Sequence, residues 1–227
     1  MMRDKLAALV SRAWHSLPWR VVVLLAIAAV ATVAFVEVAE DVIEGNADPI
    51  DRAISLAIHR IDFPALDRVM IFVTSLGSGV TLSIAVAALA AYCVYRQERR
   101  LALVLVVNAI AEYAMNLVLK HSFARPRPRL FDEITRPDSY SFPSGHSMSA
   151  TVIYGTIATV LIVLRPRLRS IVIPTAAFLI VAIGFSRVYL GVHWTFDVLA
   201  GFAAGIPFVL AAIHLARRAT RPPSPDA

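Results

Sequence analysis

The sequence predicts an all-α integral-membrane protein, a six-transmembrane-helix bundle with an interfacial helix between spans one and two. The chain has 227 residues, of which 58% are hydrophobic, and its mean hydropathy is +0.69. Soluble domains contain about 45–50% apolar residues. Apolar runs of about 20 residues, long enough to cross the hydrocarbon core of a bilayer, recur along the chain. These observations together indicate repeated membrane crossing.

The apolar runs divide the chain into one membrane domain with short polar ends. We predict spans at 20–41, 69–95, 101–119, 146–164, 171–189 and 196–216. The domain (20–216) follows a cytoplasmic N-terminal segment (1–19) and precedes a cytoplasmic, proline-rich tail (217–227) that we expect to be disordered. Between the first two spans, Ile50, Ile54 and Ile58 recur at helical spacing. This spacing favours a helix in the membrane interface, and a helix packed on top of the bundle fits the pattern equally well.

The basic residues predict the orientation in the membrane. The formal net charge is +6, and most Lys and Arg residues cluster before the first span, in the connectors 96–100 and 165–169, and after the last span. Such clusters mark the cytoplasmic side. We therefore expect a protein of the bacterial cytoplasmic membrane with both termini cytoplasmic. This clustering at the ends of spans also argues against a nucleic-acid partner.

Three short polar motifs lie at span ends on the opposite, periplasmic or extracellular side. They read K-x6-R-P, P-S-G-H and S-R-x5-H-x3-D, and they contain eight residues suited to phosphate chemistry: Lys120, Arg127, Ser144, Gly145, His146, Arg187, His193 and Asp197. A bilayer excludes ionisable groups that face lipid. We therefore expect these side chains to converge in one pocket at the membrane surface.

The residue types in this set predict phosphoryl transfer. Lys120, Arg127 and Arg187 supply positive charges for the phosphoryl oxygens. Ser144 and Gly145 stand where the fourth span begins, and the free N–H groups at a helix start bind anions.

The histidines and the aspartate predict the chemical steps. His193 and Asp197 are four residues apart and share a helix face. The carboxylate can accept from one ring nitrogen, which leaves the other with a lone pair for phosphorus. His146 is placed to protonate the leaving oxygen.

The motifs resemble the signature of the type 2 phosphatidic acid phosphatase superfamily, which includes vanadium-dependent haloperoxidases and bacterial lipid phosphatases. The resemblance covers roughly residues 69–216. It implies that His193 is the nucleophile and forms a phosphohistidine, that Asp197 orients it, and that His146 is the acid. It also implies a membrane-facing entrance for lipids, no metal or other cofactor, and phosphate binding by the remaining motif residues: Lys120, Arg127, Ser144, Gly145 and Arg187.

We therefore expect an integral-membrane lipid phosphatase that acts on the outer face. Undecaprenyl diphosphate, phosphatidylglycerol phosphate and phosphatidic acid are candidate substrates, and the expected partners are this lipid phosphate and the surrounding membrane lipids. Two alternatives use the same pocket: a phosphotransferase with an acceptor other than water, and a non-catalytic protein that binds or transports anionic lipids. The sequence leaves the oligomeric state open.

Other polar residues near the motifs allow two interpretations. Asn108, Glu112 and Asn116 form a polar stripe along the third span below Lys120, which favours an internal hydrogen-bonding seam over a role in tuning the site. Arg125 and Arg129 flank Arg127, and we expect them to steer anionic head groups or to lie in solvent. Gly201 and Gly205 predict close helix packing in the last span.

Overall fold

The computed structural model describes residues 19–61, 63–130 and 139–220. Within these ranges the regular secondary structure is entirely helical, as predicted from the sequence. The described residues form eight α-helices: α1 (Trp19–Glu44), α2 (Ala47–His59), α3 (Pro64–Leu76), α4 (Gly79–Tyr95), α5 (Arg99–Phe123), α6 (Gly145–Leu164), α7 (Arg169–Tyr189) and α8 (Thr195–Ala219). A short 3₁₀ turn, Pro166–Leu168, precedes α7.

Five helices in the described part of the chain are long and apolar enough to cross a membrane: α1, α5, α6, α7 with its 3₁₀ turn, and α8. Their outward faces carry exposed apolar side chains, such as Phe178 at 71% exposure, as expected of helices that contact lipid. The chain is thus a multi-pass membrane protein, with a sixth crossing if α3 and α4 count as one span.

The predicted second span, 69–95, is not one continuous helix. The chain forms α3 and α4 instead, which are bent by 47° relative to each other. At the bend, the Ser78 hydroxyl accepts a hydrogen bond from the Thr81 N–H (3.2 Å) and so caps α4. A Cβ on Gly77 would lie only 2.6 Å from Cγ2 of Ile183. The bend therefore occurs where α7 packs closely against backbone that lacks a side chain.

Helix α6 lies at the centre of the bundle and packs against α4, α5, α7 and α8. Two glycines of α8 allow this close approach, as the sequence predicted. A Cβ on Gly201 would lie 2.8 Å from the Ser144 carbonyl oxygen, and one on Gly205 would lie 2.8 Å from Cβ of Thr151. The start of α6 is thereby held directly against α8.

Helix α2 packs on the bundle through a polar side. Asp51 and Ser55 are buried in the contact with the bundle, whereas Ile50 and Leu56 are exposed. Of the isoleucines predicted to face the membrane, Ile50 is exposed, whereas Ile54 and Ile58 are half-buried. At the other end of the chain, α8 continues to Ala219, so the tail predicted from residue 217 begins within a helix. Residues 221–227 and 1–18 lie outside the described part.

Candidate functional site

The three motifs meet at one end of the bundle, where α5 and α7 end and α6 and α8 begin. The Ser144 N–H donates to the Asp197 carbonyl oxygen (2.9 Å) and joins the starts of α6 and α8. A Cβ on Gly145 would lie 3.5 Å from Cε of Lys120, which brings α5 to the same place. Residues of all three motifs therefore lie together at this end of the bundle.

His193 and Asp197 form a buried pair at the base of the pocket. His193 is 2% exposed and Asp197 is 0% exposed. The His193 Nε2 atom lies 3.1 Å from Nη1 of Arg127, and because a guanidinium can only donate, Nε2 must be the acceptor. Nδ1 then carries the proton, which it donates to Oδ2 of Asp197 at 3.3 Å. The lone pair on Nε2 thus points into the cationic pocket.

The surroundings of His193 keep its ring neutral. Burial lowers the pKa of His193 well below its usual value of 6.5, and the nearby charges of Arg187, Arg127, Lys120 and His146 lower it further. A neutral imidazole with a free Nε2 lone pair is the form that can attack an electrophile at physiological pH.

The three motif cations are fixed by hydrogen bonds to oxygen atoms. Lys120 Nζ donates to the Tyr140 carbonyl oxygen (2.7 Å), Arg127 Nη1 donates to the Val192 carbonyl oxygen (2.6 Å), and Arg187 Nη1 donates to Oγ1 of Thr74 (2.7 Å). Each of these three acceptors is uncharged, and the three cations lie close enough to His193 to lower its pKa. The sequence interpretation missed Thr74, which precedes the bend between α3 and α4 by three residues.

The remaining motif residues line the start of α6. Ser144 caps the helix, since its hydroxyl oxygen accepts from the Ser147 N–H (3.4 Å) and from the Ser147 hydroxyl (3.0 Å). The Ser144 side chain is fully buried. His146 is half-buried beside the bend of the second span, where a Cβ on Gly77 would lie 3.3 Å from the His146 ring.

Arg125 differs from the sequence expectation. Its side chain is only 7% exposed, so it does not lie in solvent. Nη1 donates to Oδ1 of Asp197 (2.8 Å), and Nη2 contacts Oδ1 of Asp48 (2.8 Å) and Oδ2 of Asp51 (3.0 Å). Arg129, the other flanking arginine, is exposed. A pair of aspartates three residues apart on α2 was the signal in the sequence that could have indicated a buried cation.

A groove of about 380 Å³ runs between α4, α5 and α6, below the pocket. Its walls are mainly apolar and include Leu82, Val86 and Ile153. Glu112 and Ser149 are among its few polar side chains. Oε1 of Glu112 accepts from the Ser149 hydroxyl at 2.8 Å. The polar stripe on α5 thus forms the hydrogen-bonding seam with α6 that the sequence favoured.

The fold and the pocket define an α-helical membrane protein with a cationic site around a neutral histidine. Comparison with protein families matches residues 100–221 to the PAP2 superfamily. This match spans more than half of the chain, and the chain belongs to the PAP2 superfamily. The family resemblance predicted from the three motifs is therefore confirmed. Within the described ranges, no group of three or more His, Cys, Asp or Glu side chains could hold a metal ion.

Curated relatives of this chain are membrane lipid phosphatases. The chain is 40% identical to phosphatidylglycerophosphatase B of Bacillus subtilis (strain 168) over 160 residues, which cover 69% of this chain and 78% of the relative. It is 32% identical to undecaprenyl-diphosphatase of Sulfolobus acidocaldarius over 117 residues, which cover 49% of this chain and 53% of that protein.

Solved structures show the same fold. A transmembrane PAP2-type phosphatidylglycerolphosphate phosphatase from Bacillus subtilis superposes with a TM-score of 0.81 at 32% identity, and the match covers 86% of this chain and 98% of that one. LpxE of Aquifex aeolicus superposes with a TM-score of 0.56 at 26% identity over 71% of this chain and 93% of that one.

Proposed function

We propose that this protein is an integral-membrane phosphatase that hydrolyses a lipid phosphate or diphosphate through a phosphohistidine on His193. The observation that carries this proposal is the orientation of the His193 ring. Asp197 accepts a hydrogen bond from the Nδ1–H group, and the unprotonated Nε2 faces Arg127. A docking site for anions would need the cations but not a nucleophile held in this way.

The first chemical step starts from the resting contact between Arg127 and His193. An incoming phosphate offers oxygens to Lys120, Arg127 and Arg187, and Arg127 turns from Nε2 to these oxygens. Nε2 then attacks phosphorus and forms the N–P bond while the bond to the lipid oxygen breaks. His146, which takes up a proton when the phosphate anion binds, gives that proton to the lipid oxygen, so the lipid leaves as an alcohol, or as a monophosphate if the substrate is a diphosphate.

The second step returns the site to its starting state. A water molecule attacks the phosphohistidine, and His146 takes one of its protons. The N–P bond breaks, inorganic phosphate leaves, and His193 is again neutral at Nε2. Positive charges hold the equatorial oxygens in both steps, which is the main electrostatic contribution in phosphoryl transfer.

The groove supports a substrate with an apolar tail. Ser149 and Glu112 are polar side chains in the wall of the groove. At helical rise, Ser149 stands one turn along α6 from Gly145, about 6 Å away, and Glu112 stands two turns along α5 from Lys120, about 12 Å away. A head group bound at Gly145 could therefore place its tail directly in the groove. Phosphatidylglycerol phosphate and undecaprenyl diphosphate fit this arrangement and the names of the relatives, and phosphatidic acid has the same chemistry.

The charge pattern supports a site on the periplasmic or extracellular face of a bacterial cytoplasmic membrane. The basic connectors 96–100 and 165–169 and the basic end of α8 lie at the ends of the helices opposite to the pocket. We place these connectors and both termini in the cytoplasm. Helix α2 then lies in the outer interface, with Ile50 and Leu56 toward the lipid.

The proposal is tested by phosphate release from a panel of lipid phosphates in detergent with a chelator. Wild type is expected to release phosphate and to be inhibited by vanadate, whereas His193→Ala is expected to be folded and inactive. Full activity of His193→Ala would contradict the proposal. Labelled phosphate in the substrate separates hydrolysis from transfer, because transfer would produce a labelled second lipid instead of free phosphate.

A further inference from the structure

The carboxylate that holds His193 is itself held by a second layer of buried charges. Arg125 Nη1 contacts Oδ1 of Asp197 at 2.8 Å, while Oδ2 faces His193 Nδ1 at 3.3 Å and accepts from the Trp194 N–H at 2.9 Å. The guanidinium therefore occupies one carboxylate oxygen and leaves the other for the histidine. A carboxylate with both oxygens assigned in this way cannot rotate without breaking a charged hydrogen bond.

Asp51 holds the guanidinium from the other side. Its Oδ2 contacts Arg125 Nη2 at 3.0 Å, and its Oδ1 accepts from the Phe196 N–H at 3.0 Å, in the first turn of α8. Asp51 is 0% exposed. One side chain from α2 thus fixes both Arg125 and the backbone next to Asp197. Asp48 also contacts Arg125, but it is 69% exposed, so solvent screens its charge.

We propose that Arg125 and Asp51 are positioning residues that set the orientation of the Asp197–His193 pair for attack on phosphorus. This inference rests on the proposed function. The buried carboxylates of Asp51 and Asp197 and the single guanidinium carry a net charge of about −1. The imidazole becomes positive when Nε2 bonds to phosphorus, and this net negative charge stabilises it at that moment.

The test uses the purified full-length protein in detergent, with phosphate release and quenched formation of phosphohistidine as the readouts. The variants are Arg125→Gln, Asp51→Asn, the double variant, and Arg125→Lys. Asn at position 51 can still accept from the Phe196 N–H, so this variant removes the charge and keeps the backbone contact. Arg52→Gln is the matched control, because Arg52 is the exposed neighbour of Asp51 on α2.

We expect Arg125→Gln and Asp51→Asn to lower kcat and the rate of phosphohistidine formation by about 10- to 100-fold, by analogy with the residues that orient metal-ligating histidines. KM should change less than about threefold, because neither residue touches the substrate. The double variant should lose no more than the worse single one, since both act through one contact. Arg125→Lys should recover part of the rate, and Arg52→Gln should match wild type.

Three results would overturn the inference: kcat within about twofold of wild type in folded Arg125→Gln and Asp51→Asn, a rise in KM at unchanged kcat, or additive losses in the double variant. If Arg125→Gln does not fold, as its thermal midpoint would reveal, Asp51→Asn decides by the same criteria for kcat and KM. Absence of phosphohistidine and of phosphate release in wild type would instead overturn the proposed function.

Discussion

Replacement of Gly201 by alanine tests whether the packing of α8 on α6 sets the geometry of the site. The new Cβ would lie 2.8 Å from the Ser144 carbonyl oxygen and 2.9 Å from Cβ of Ser147. Comfortable carbon contacts need about 3.5 Å, so the helices must separate by about 0.5 Å. The Ser144–Gly145 segment moves with α6, whereas His193 and Asp197 stay with α8. The substitution therefore shifts the anion-binding segment away from the nucleophile.

The size of the effect follows from this displacement. A misplacement of 1 Å costs about 100-fold in rate, so a shift of half that size should lower kcat about 10-fold. Overpacking should also destabilise the protein by about 1–3 kcal/mol. Phosphate release and the thermal midpoint, measured on the same detergent-purified preparation, separate these two effects.

Gly155→Ala is the matched control for this prediction. Its Cβ would lie 2.6 Å from Cγ2 of Val209, so it also crowds the contact between α6 and α8, but against a side chain that can move. Gly155 stands ten residues along α6 from Gly145, about 15 Å from the site. We expect a loss of stability with kcat within about twofold of wild type. Folded Gly201→Ala with the same unchanged kcat would refute the reasoning.

Two further predictions concern the groove and the charge on the histidine. Ile153→Trp, which fills the groove, should raise KM for a lipid phosphate about 10-fold or more and leave KM for a short soluble phosphomonoester unchanged. Ile171→Trp, on the exposed surface of α7, is the control. Equal effects of Ile153→Trp on both substrates would contradict the tail-binding role of the groove. Arg187→Gln removes a positive charge that lowers the pKa of His193, so the His193 pKa rises toward 6.5 in the variant. As the pH falls, His193 of the variant is therefore protonated, and inactive as a nucleophile, at a higher pH than in wild type. The ratio of kcat/KM between wild type and variant on one substrate should therefore grow as the pH falls, and a ratio independent of pH would count against this electrostatic account.

The sequence predicted the helical membrane fold and the members of the site because each has a local signal. Apolar runs predict spans, and the fixed spacings around Lys120, His146 and His193 identify the pocket. The topology then required these motifs to meet, since all stand at span ends on one side. The bend after α3 was missed because Gly77 and Ser78 interrupt the apolar run by two residues only.

The sequence spacing could not show which residues pair with each other in the second layer of the site. Arg125 and Asp51 are 74 residues apart in sequence, and Arg125 and Asp197 are separated by 72. Each residue taken alone resembles an ordinary charge near the membrane surface. Only the tertiary structure pairs them, and only the position of Arg127 beside Nε2 identifies which ring nitrogen of His193 carries the proton.

The most direct test of the account is to locate the covalent phosphate. The protein would be mixed with a radiolabelled lipid phosphate and quenched in alkali, which preserves phosphohistidine, and the label would be mapped to a peptide. The account predicts a label on His193 in wild type and none in His193→Ala. A label on another residue, or steady release of phosphate with no labelled protein at any time, would contradict attack by this imidazole.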